Sequence, residues 1–291
     1  MKALIDSDIV AYSCSCITDG KNYKLDAPFG TVTGNRKKEL NEICDEYNMP
    51  HTAIVTYYEP EDIANTCHSM KKMLMNILGE LNLTLEDCQL YLSDTKNFRS
   101  TVDPEYKANR VSMRVPKNLA EAKEYLIKHW DAKILPNHEA DDVLGIIQWG
   151  DFIKNDKDPS KCETIICTLD KDLNMIPGWH YNWRTKETYW IEEDDAMRLF
   201  YEQLLKGDNV DNIIGIHGIG DKTATKLLKN CKTEKEMFNI CINKYVEEHQ
   251  KLFPTVTDNN QILQEAGDRC IKNAKLLWIL REPHMTFGVP K

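Results

Sequence analysis

No run in this chain approaches the ~18 consecutive apolar residues that a membrane-spanning helix needs. The amino-terminal apolar stretch meets a charge at Asp6, too early for a secretory signal, so the expectation is a cytosolic protein that touches no membrane, and a monomer. Ten cysteines are present, yet none forms a Cys-x-x-Cys pair; Cys14 and Cys16 are the nearest neighbours. That spacing fits neither a zinc site nor a secreted disulfide framework, and leaves reduced, mostly buried thiols. Internal repeats and low-complexity tracts are also missing. A length of 291 residues with 42% hydrophobic content is enough for a real core, as one large domain or a domain with an appendage.

Positive charge is in short supply overall, for the net charge is −9. A uniformly acidic surface would exclude nucleic acid as a partner. The distribution is uneven, however. Between Lys96 and Lys117 six basic residues (Lys96, Arg99, Lys107, Arg110, Arg114, Lys117) face two acidic ones, Asp103 and Glu105. Such a segment is either a solvated helix face or an anion contact.

Apolar periodicity places strands at Lys2–Ile5, Cys88–Leu92, Lys133–Leu135 and Thr164–Thr168, with Ala53–Tyr58 undecided between strand and helix start. Helices fall at Glu61–Leu81, Leu119–Trp130 and Ala140–Phe152, and Tyr181–Ile191 reads as strand–turn–strand. Residues 19–36 read as a surface loop or hairpin. Strands alternating with helices predict an α/β fold around a mostly parallel sheet over 1–191. Beyond about residue 192 the chain turns to helices and glycine turns, giving a second region, 192–291. Within it, Ile213–Leu228 reads as a helix–hairpin–helix reaching to about residue 230.

Acidic residues recur where strands end. Asp6 and Asp8 follow the first strand and Asp94 the second. Glu139, Asp141 and Asp142 open a helix. Asp170 and Asp172 follow Thr164–Thr168, and Asp208 and Asp211 precede the glycine turn. In a parallel sheet the strand carboxyl ends share one edge, where ligands bind. So many carboxylates stay ionised together only with cations between them, and oxygen-only ligands favour magnesium or manganese. Two such ions roughly 4 Å apart form a phosphoryl-transfer device. Setting aside nine of these acids, all but Asp8, leaves 37, equal to the 37 lysines plus arginines, so the acidity of the chain is numerically that of its candidate site. Any one acid alone reads as a helix cap or a solvated loop.

Gly215-Ile216-His217-Gly218-Ile219-Gly220 can form a tight turn whose backbone N–H groups approach a phosphate. Lys222, Lys226 and Lys229 and the start of the following helix add positive charge, which would grip duplex backbone without reading sequence. Lys107 and Arg110, three apart, share a helix face that could clamp a scissile phosphate, and Tyr106 could stack on an unpaired base.

The ordered set LIDSD, YLSDTKNFR, VDPEYKANR, EADD, CTLDKD, GDNVDN and GIHGIGDKTA resembles the 5′-nuclease (flap endonuclease) superfamily, most closely the short 5′→3′ exonucleases of bacteriophages. The resemblance runs from Asp6 to about Leu228. It implies a PIN-like sheet, a helical arch at about 95–118 and a DNA-binding helix–three-turn–helix. It also implies a metal-binding set of Asp6, Asp94, Glu139, Asp141, Asp142, Asp170, Asp172, Asp208 and Asp211, with Lys107, Arg110 and Tyr106 as catalytic residues. Lys96, Arg99, Arg114, Lys117, Gly218, Gly220, Lys222, Thr223 and Lys226 are the implied DNA contacts. Gly215, Ile216 and Ile219 could offer carbonyls to a monovalent cation such as potassium. The expected activity is two-magnesium hydrolysis of DNA near a free 5′ end, flap or nick, with RNA–DNA hybrid as a further substrate, in phage-type replication, primer removal or DNA degradation. A phage-encoded chain would act in the host cytoplasm.

Two rivals stand beside it. LIDSDIV also fits haloacid-dehalogenase-type phosphatases, where Asp6 would be a covalent nucleophile and Asp8 a general acid. The other is a DNA-binding module without catalysis.

Overall fold

β1 (Lys2–Asp6) is buried along Ala3–Asp6, which marks it as an interior strand. The computed structural model describes residues 1–290, with backbone alone at 111 and 112; Lys291, the last residue of the expected helical region, lies outside the described residues. The chain runs on through α1 (Ser7–Ile17), β2 (Asp19–Ala27), β3 (Gly30–Gly34), α2 (Lys37–Glu46), β4 (Val55–Pro60) and α3 (Ile63–Glu80). Next come β5 (Cys88–Leu92), α4 (Arg99–Val102), α5 (Leu119–Trp130), β6 (Lys133–Ile134), α6 (Ala140–Lys154) and β7 (Thr164–Cys167). It ends with β8 (Gly178–Asn182), β9 (Glu187–Ile191), α7 (Glu193–Lys206), β10 (Gly207–Asp208), β11 (Ile213–Ile214), α8 (Asp221–Leu228), α9 (Glu234–Leu252) and α10 (Asn259–Leu277).

Two compact units alternate along the sequence, one made of 1–7, 77–113 and 132 onward, the other of 8–76 and 114–131. This division differs from a cut at residue 191: the helices after 192 cluster with the sheet.

The first unit holds a six-stranded sheet in the order β6-β5-β1-β7-β8-β9. Every pairing is parallel except β8 with β9. α6 covers the sheet with Ala140, Val143, Leu144 and Ile147, which meet Leu4, Tyr91 and Ile166. Their 3–4 spacing gives the apolar stripe that a sheet-facing helix requires. A second core joins α7, α8, α9 and α10 around Phe200, Tyr201, Leu204, Tyr245, Cys270 and Leu277.

The second unit contains an antiparallel sheet, β3-β2-β4. Residues 19–36, read as a loop or hairpin, are thus a hairpin, and Ala53–Tyr58 resolves as a short 3₁₀ turn followed by a strand. Leu40 and Cys44, one turn apart on α2, close a small core with Leu25 and Ile54.

Two expectations change. The segment 95–118 carries no long arch helices: it holds α4, of four residues, and a 3₁₀ turn at Ala108–Ser112. Pro104 and Pro116 each restrict the residue before them, and Lys107 is left-handed at φ 60°, so a continuous helix cannot pass. The glycine turn is flanked by α7 and α8, while Ile213–Ile214 forms a two-residue ladder with Gly207–Asp208. Gly207 has φ +74°, and a Cβ on Gly215 would lie 2.2 Å from the Lys206 carbonyl carbon, so only glycines allow this backbone crossing.

Candidate active site

Three parallel strands deliver acids to one sheet edge: Asp6 closes β1, Asp94 follows β5, and Asp170 follows β7. Asp6 is 3% exposed and accepts a hydrogen bond from the Thr168 hydroxyl at 3.0 Å. Thr168 Oγ1 also accepts the Asp170 N–H at 3.0 Å, and Asp170 in turn accepts the Asp172 N–H at 2.9 Å. A hydroxyl inside the CTLDKD motif, not itself singled out as a site residue, thus ties two strand ends together. Asp208 accepts the N–H groups of Val210 and Asp211, a local turn that presents Asp211.

Mutual repulsion links these acids. Burial, then Asp6, Asp170 and Glu139, hold the Asp141 carboxyl well above the ordinary carboxylate range, with Lys107 opposing. Asp170 is raised by burial and by Asp211 and Asp208. Burial and Asp170 push Asp172 up to about 7. Asp6, Glu139, Asp141, Asp170, Asp172, Asp208 and Asp211 therefore share one electrostatic neighbourhood.

Cations from the basic segment enter it. Lys107 Nζ lies 2.5 Å from Glu139 Oε1 and 3.6 Å from Asp211 Oδ2. Arg110 pairs with Asp211 and donates to the Val210 carbonyl. Lys107 and Arg110 do converge, through a left-handed residue and a 3₁₀ turn instead of a helix face. The Tyr106 hydroxyl donates to Glu139 and Asp211, each at 3.0 Å. Burial and those carboxylates raise its pKa, which keeps it a donor. Its ring packs into the helical core beneath Lys107, so it is not offered as a stacking platform for a base.

Asp142, expected among the metal ligands, is occupied otherwise. It is fully buried, and Arg99 binds both its oxygens at 2.7 and 2.8 Å. The N–H groups of Leu280 and Glu139 fill the remaining acceptor positions at 3.1 and 3.3 Å. Glu139 and Asp142 form a reciprocal capping box at the start of α6. Arg99, expected to touch DNA, is 3% exposed. Its nitrogens also reach Glu139 and the carbonyls of Leu276 and Trp278. An arginine within a basic segment looks like a surface cation in sequence, whereas its partners lie far along the chain.

Asp94 is held by the loop after β6 and by its own: it accepts N–H groups from Asn137 and Thr95, and the first of these chiefly lowers its pKa. In the other unit, Asp8 pairs with Lys123 at 2.5 Å, and Arg114 pairs with Asp19 and stacks over Tyr58. Lys96, Lys117, Gly218, Gly220, Lys222, Thr223 and Lys226 are exposed. Gly215 and Ile216 are buried, and two of the three carbonyls expected to hold potassium have protein donors: Arg269 at Gly215, the Ile219 N–H at Ile216.

Among the described residues no three acidic, histidine or cysteine side chains converge as ligands of one ion. The donor chemistry nevertheless fits a hard divalent cation. The donors are oxygen only, and three carboxyls are raised by burial and by one another, which an added cation would reverse.

A parallel sheet edge crowded with carboxylates and faced by a lysine–arginine pair defines an α/β nuclease. The model of the 5′–3′ exonuclease N-terminal resolvase-like domain matches residues 41–215, and the chain belongs to the 5′–3′ exonuclease family. It is therefore a DNA-hydrolysing nuclease of the 5′–3′ exonuclease and flap endonuclease type, which displaces the phosphatase and catalysis-free readings. The exonuclease of Escherichia phage T7 is 28% identical over 210 residues, covering 66% of this chain and 68% of that one. The exodeoxyribonuclease of Enterobacteria phage T3 is 34% identical over 138 residues, 45% of this chain and 43% of its own. A 5′–3′ exonuclease of Buchnera aphidicola is 30% identical over 195 residues, 62% and 64% of the two chains. The chain thus spans less than two thirds of the latter two relatives. A phage T5 5′-exonuclease structure is 16% identical, with a TM-score of 0.48, covering 74% of this chain and 81% of that one. No helix among the described residues is long and apolar enough to cross a membrane.

Proposed function

We propose that the chain hydrolyses DNA phosphodiesters near free 5′ ends, flaps or nicks, leaving a 5′-phosphate and a 3′-hydroxyl, with two magnesium ions that manganese can replace. The observation that carries this reading is the meeting of Lys107 and Arg110 with Glu139 and Asp211 beside carboxyls raised by one another.

Asp6, Asp141, Asp170, Asp172, Asp208 and Asp211, with Glu139, are the residues that would hold the ions. The chemistry such ions supply when bound is a water activated near neutral pH and charge stabilisation of the leaving oxygen. Lys107 and Arg110 bind the scissile phosphate and stabilise the charge that develops on it. To do so they exchange carboxylate partners for phosphate oxygens, a like-for-like replacement that needs little desolvation. Tyr106 keeps its proton and orients Glu139 and Asp211. Lys222, Thr223 and Lys226, with the N–H groups around Gly218 and Gly220, grip duplex backbone. Lys96 and Lys117 add exposed charge. The working form is a monomer in the cytoplasm, the host's if the chain is phage-encoded, acting in replication, primer removal or DNA degradation. RNA–DNA hybrid is a secondary substrate.

The test is product analysis on a 5′-labelled flap, a nicked duplex and an RNA–DNA hybrid, with magnesium and with EDTA. The reading requires short 5′-phosphorylated products that vanish in EDTA. Cleavage indifferent to EDTA, or no cleavage of any DNA, refutes it.

A further inference from the structure

The turn between β11 and α8 is held from behind by α9 and α10, which lie beyond the matched region 41–215. Arg269 of α10 donates to the carbonyls of Gly215 at 2.7 Å and Ile214 at 3.3 Å. Its other terminal nitrogen reaches Glu248 of α9 at 2.5 Å, and Glu248 accepts the His217 N–H at 2.5 Å. Asn273, one turn on from Arg269, donates to Ile214 O at 2.9 Å and to the Tyr245 hydroxyl at 2.8 Å. That hydroxyl donates to Leu204 O at 2.8 Å, and the guanidinium lies 5.1 Å above the Tyr245 ring. Glu248 and Asn273 are 8% and 4% exposed. Three consecutive backbone units of the turn are thus fixed by side chains from two helices.

Carbonyl oxygens aimed at one point concentrate negative potential and need a positive partner. A planar guanidinium with fixed charge and forked donors supplies it, stacked on an aromatic face. The potassium expected over Gly215, Ile216 and Ile219 does not fit, because the guanidinium already takes the Gly215 carbonyl and the Ile216 carbonyl caps the turn internally at 3.1 Å, which leaves only Ile219 of the three.

We infer that Arg269 is a positioning residue that stands in for an inorganic monovalent cation, so that the DNA grip of this turn is independent of potassium. The inference rests on the nuclease reading only for the identity of the ligand.

The experiment measures binding of a 5′-flap duplex by the full chain, divalent ions withheld, in potassium, sodium and tetramethylammonium chloride at equal ionic strength. Wild type should bind equally in all three. Arg269→Ala should bind roughly tenfold more weakly in tetramethylammonium, as loss of a charged hydrogen-bond donor implies, and recover in potassium. Arg269→Lys should stay independent of potassium. The unfolding midpoint without DNA should follow the same pattern. Potassium-dependent binding or stability in wild type overturns the inference, as does an Arg269→Ala defect equal in all salts. If Arg269→Ala does not fold, the wild-type and Arg269→Lys salt series decide it. Failure of wild type to bind DNA in any salt would count against the nuclease reading, while the unfolding series would still decide this one.

Discussion

The guanidinium of Arg99 holds both carboxylate oxygens of Asp142, at 2.7 and 2.8 Å, with neither side chain more than 3% exposed. Removing one partner strands a charge in the interior. Arg99→Ala should therefore destabilise the protein by about 3–5 kcal/mol, read from denaturant unfolding. Arg99→Lys should recover little, since an ammonium cannot fork across two oxygens. A variant within 1 kcal/mol of wild type, roughly the value of an exposed ion pair, would contradict this assignment.

Asp142→Asn and Asp141→Asn should behave oppositely. The first loses the pair with Arg99 and melts lower. The second removes a repelled carboxylate, so without divalent ions it should melt at or above wild type, while cleavage falls to background. Magnesium should raise the wild-type midpoint, with about 2.7 kcal/mol expected at a hundredfold excess over Kd, and much less in Asp141→Asn. An Asp141→Asn enzyme with normal turnover would remove Asp141 from the metal set.

Lys107→Ala and Arg110→Ala should each slow single-turnover cleavage by roughly 10²- to 10³-fold, as loss of one transition-state donor does elsewhere. Lys222→Ala and Lys226→Ala should instead raise KM, more so at high salt, and leave kcat intact. A kcat effect confined to the α8 lysines would invert these roles.

His180 is buried and neutral, its pKa lowered by burial to about 4. Its ring donates to the Ile176 carbonyl at 2.8 Å and stacks on Tyr189. Between that value and the ordinary 6.5 the unfolded chain binds a proton that the native chain does not, so stability falls as pH drops through this window. The full loss is on the order of 3 kcal/mol. Unfolding free energies measured from pH 7 to 4 should slope less in His180→Gln than in wild type, and equal slopes would rule the histidine out.

What the sequence made legible follows from the range of the interactions involved. Cys88–Leu92 and Leu119–Trp130 form their elements as read, because apolar period and flanking turn residues decide them locally. The strand-end acids were legible for the same reason. Arg99 was not: the carbonyls it binds come from residues 177 and 179 positions away. Nor was the difference between Asp141 and Asp142, adjacent residues of one type, of which one joins the repelled cluster and the other a buried ion pair. The arch was read from a resemblance, and a left-handed Lys107 between two prolines overrides it. Arg269 and Asn273 lay where no motif pointed.

The contact between Asp142 and the Leu280 N–H spans 138 residues of sequence. During synthesis Asp142 emerges long before the tail that receives it, by roughly 10 s at ordinary ribosomal speeds. Until then Asp142 has Arg99 as its partner but lacks the Leu280 N–H, and the Arg99 guanidinium lacks the carbonyls of Leu276 and Trp278. A nascent or carboxy-terminally clipped chain therefore holds the Arg99–Asp142 pair in a half-built socket, and the start of α6 should be less firmly fixed until residues 276–280 arrive.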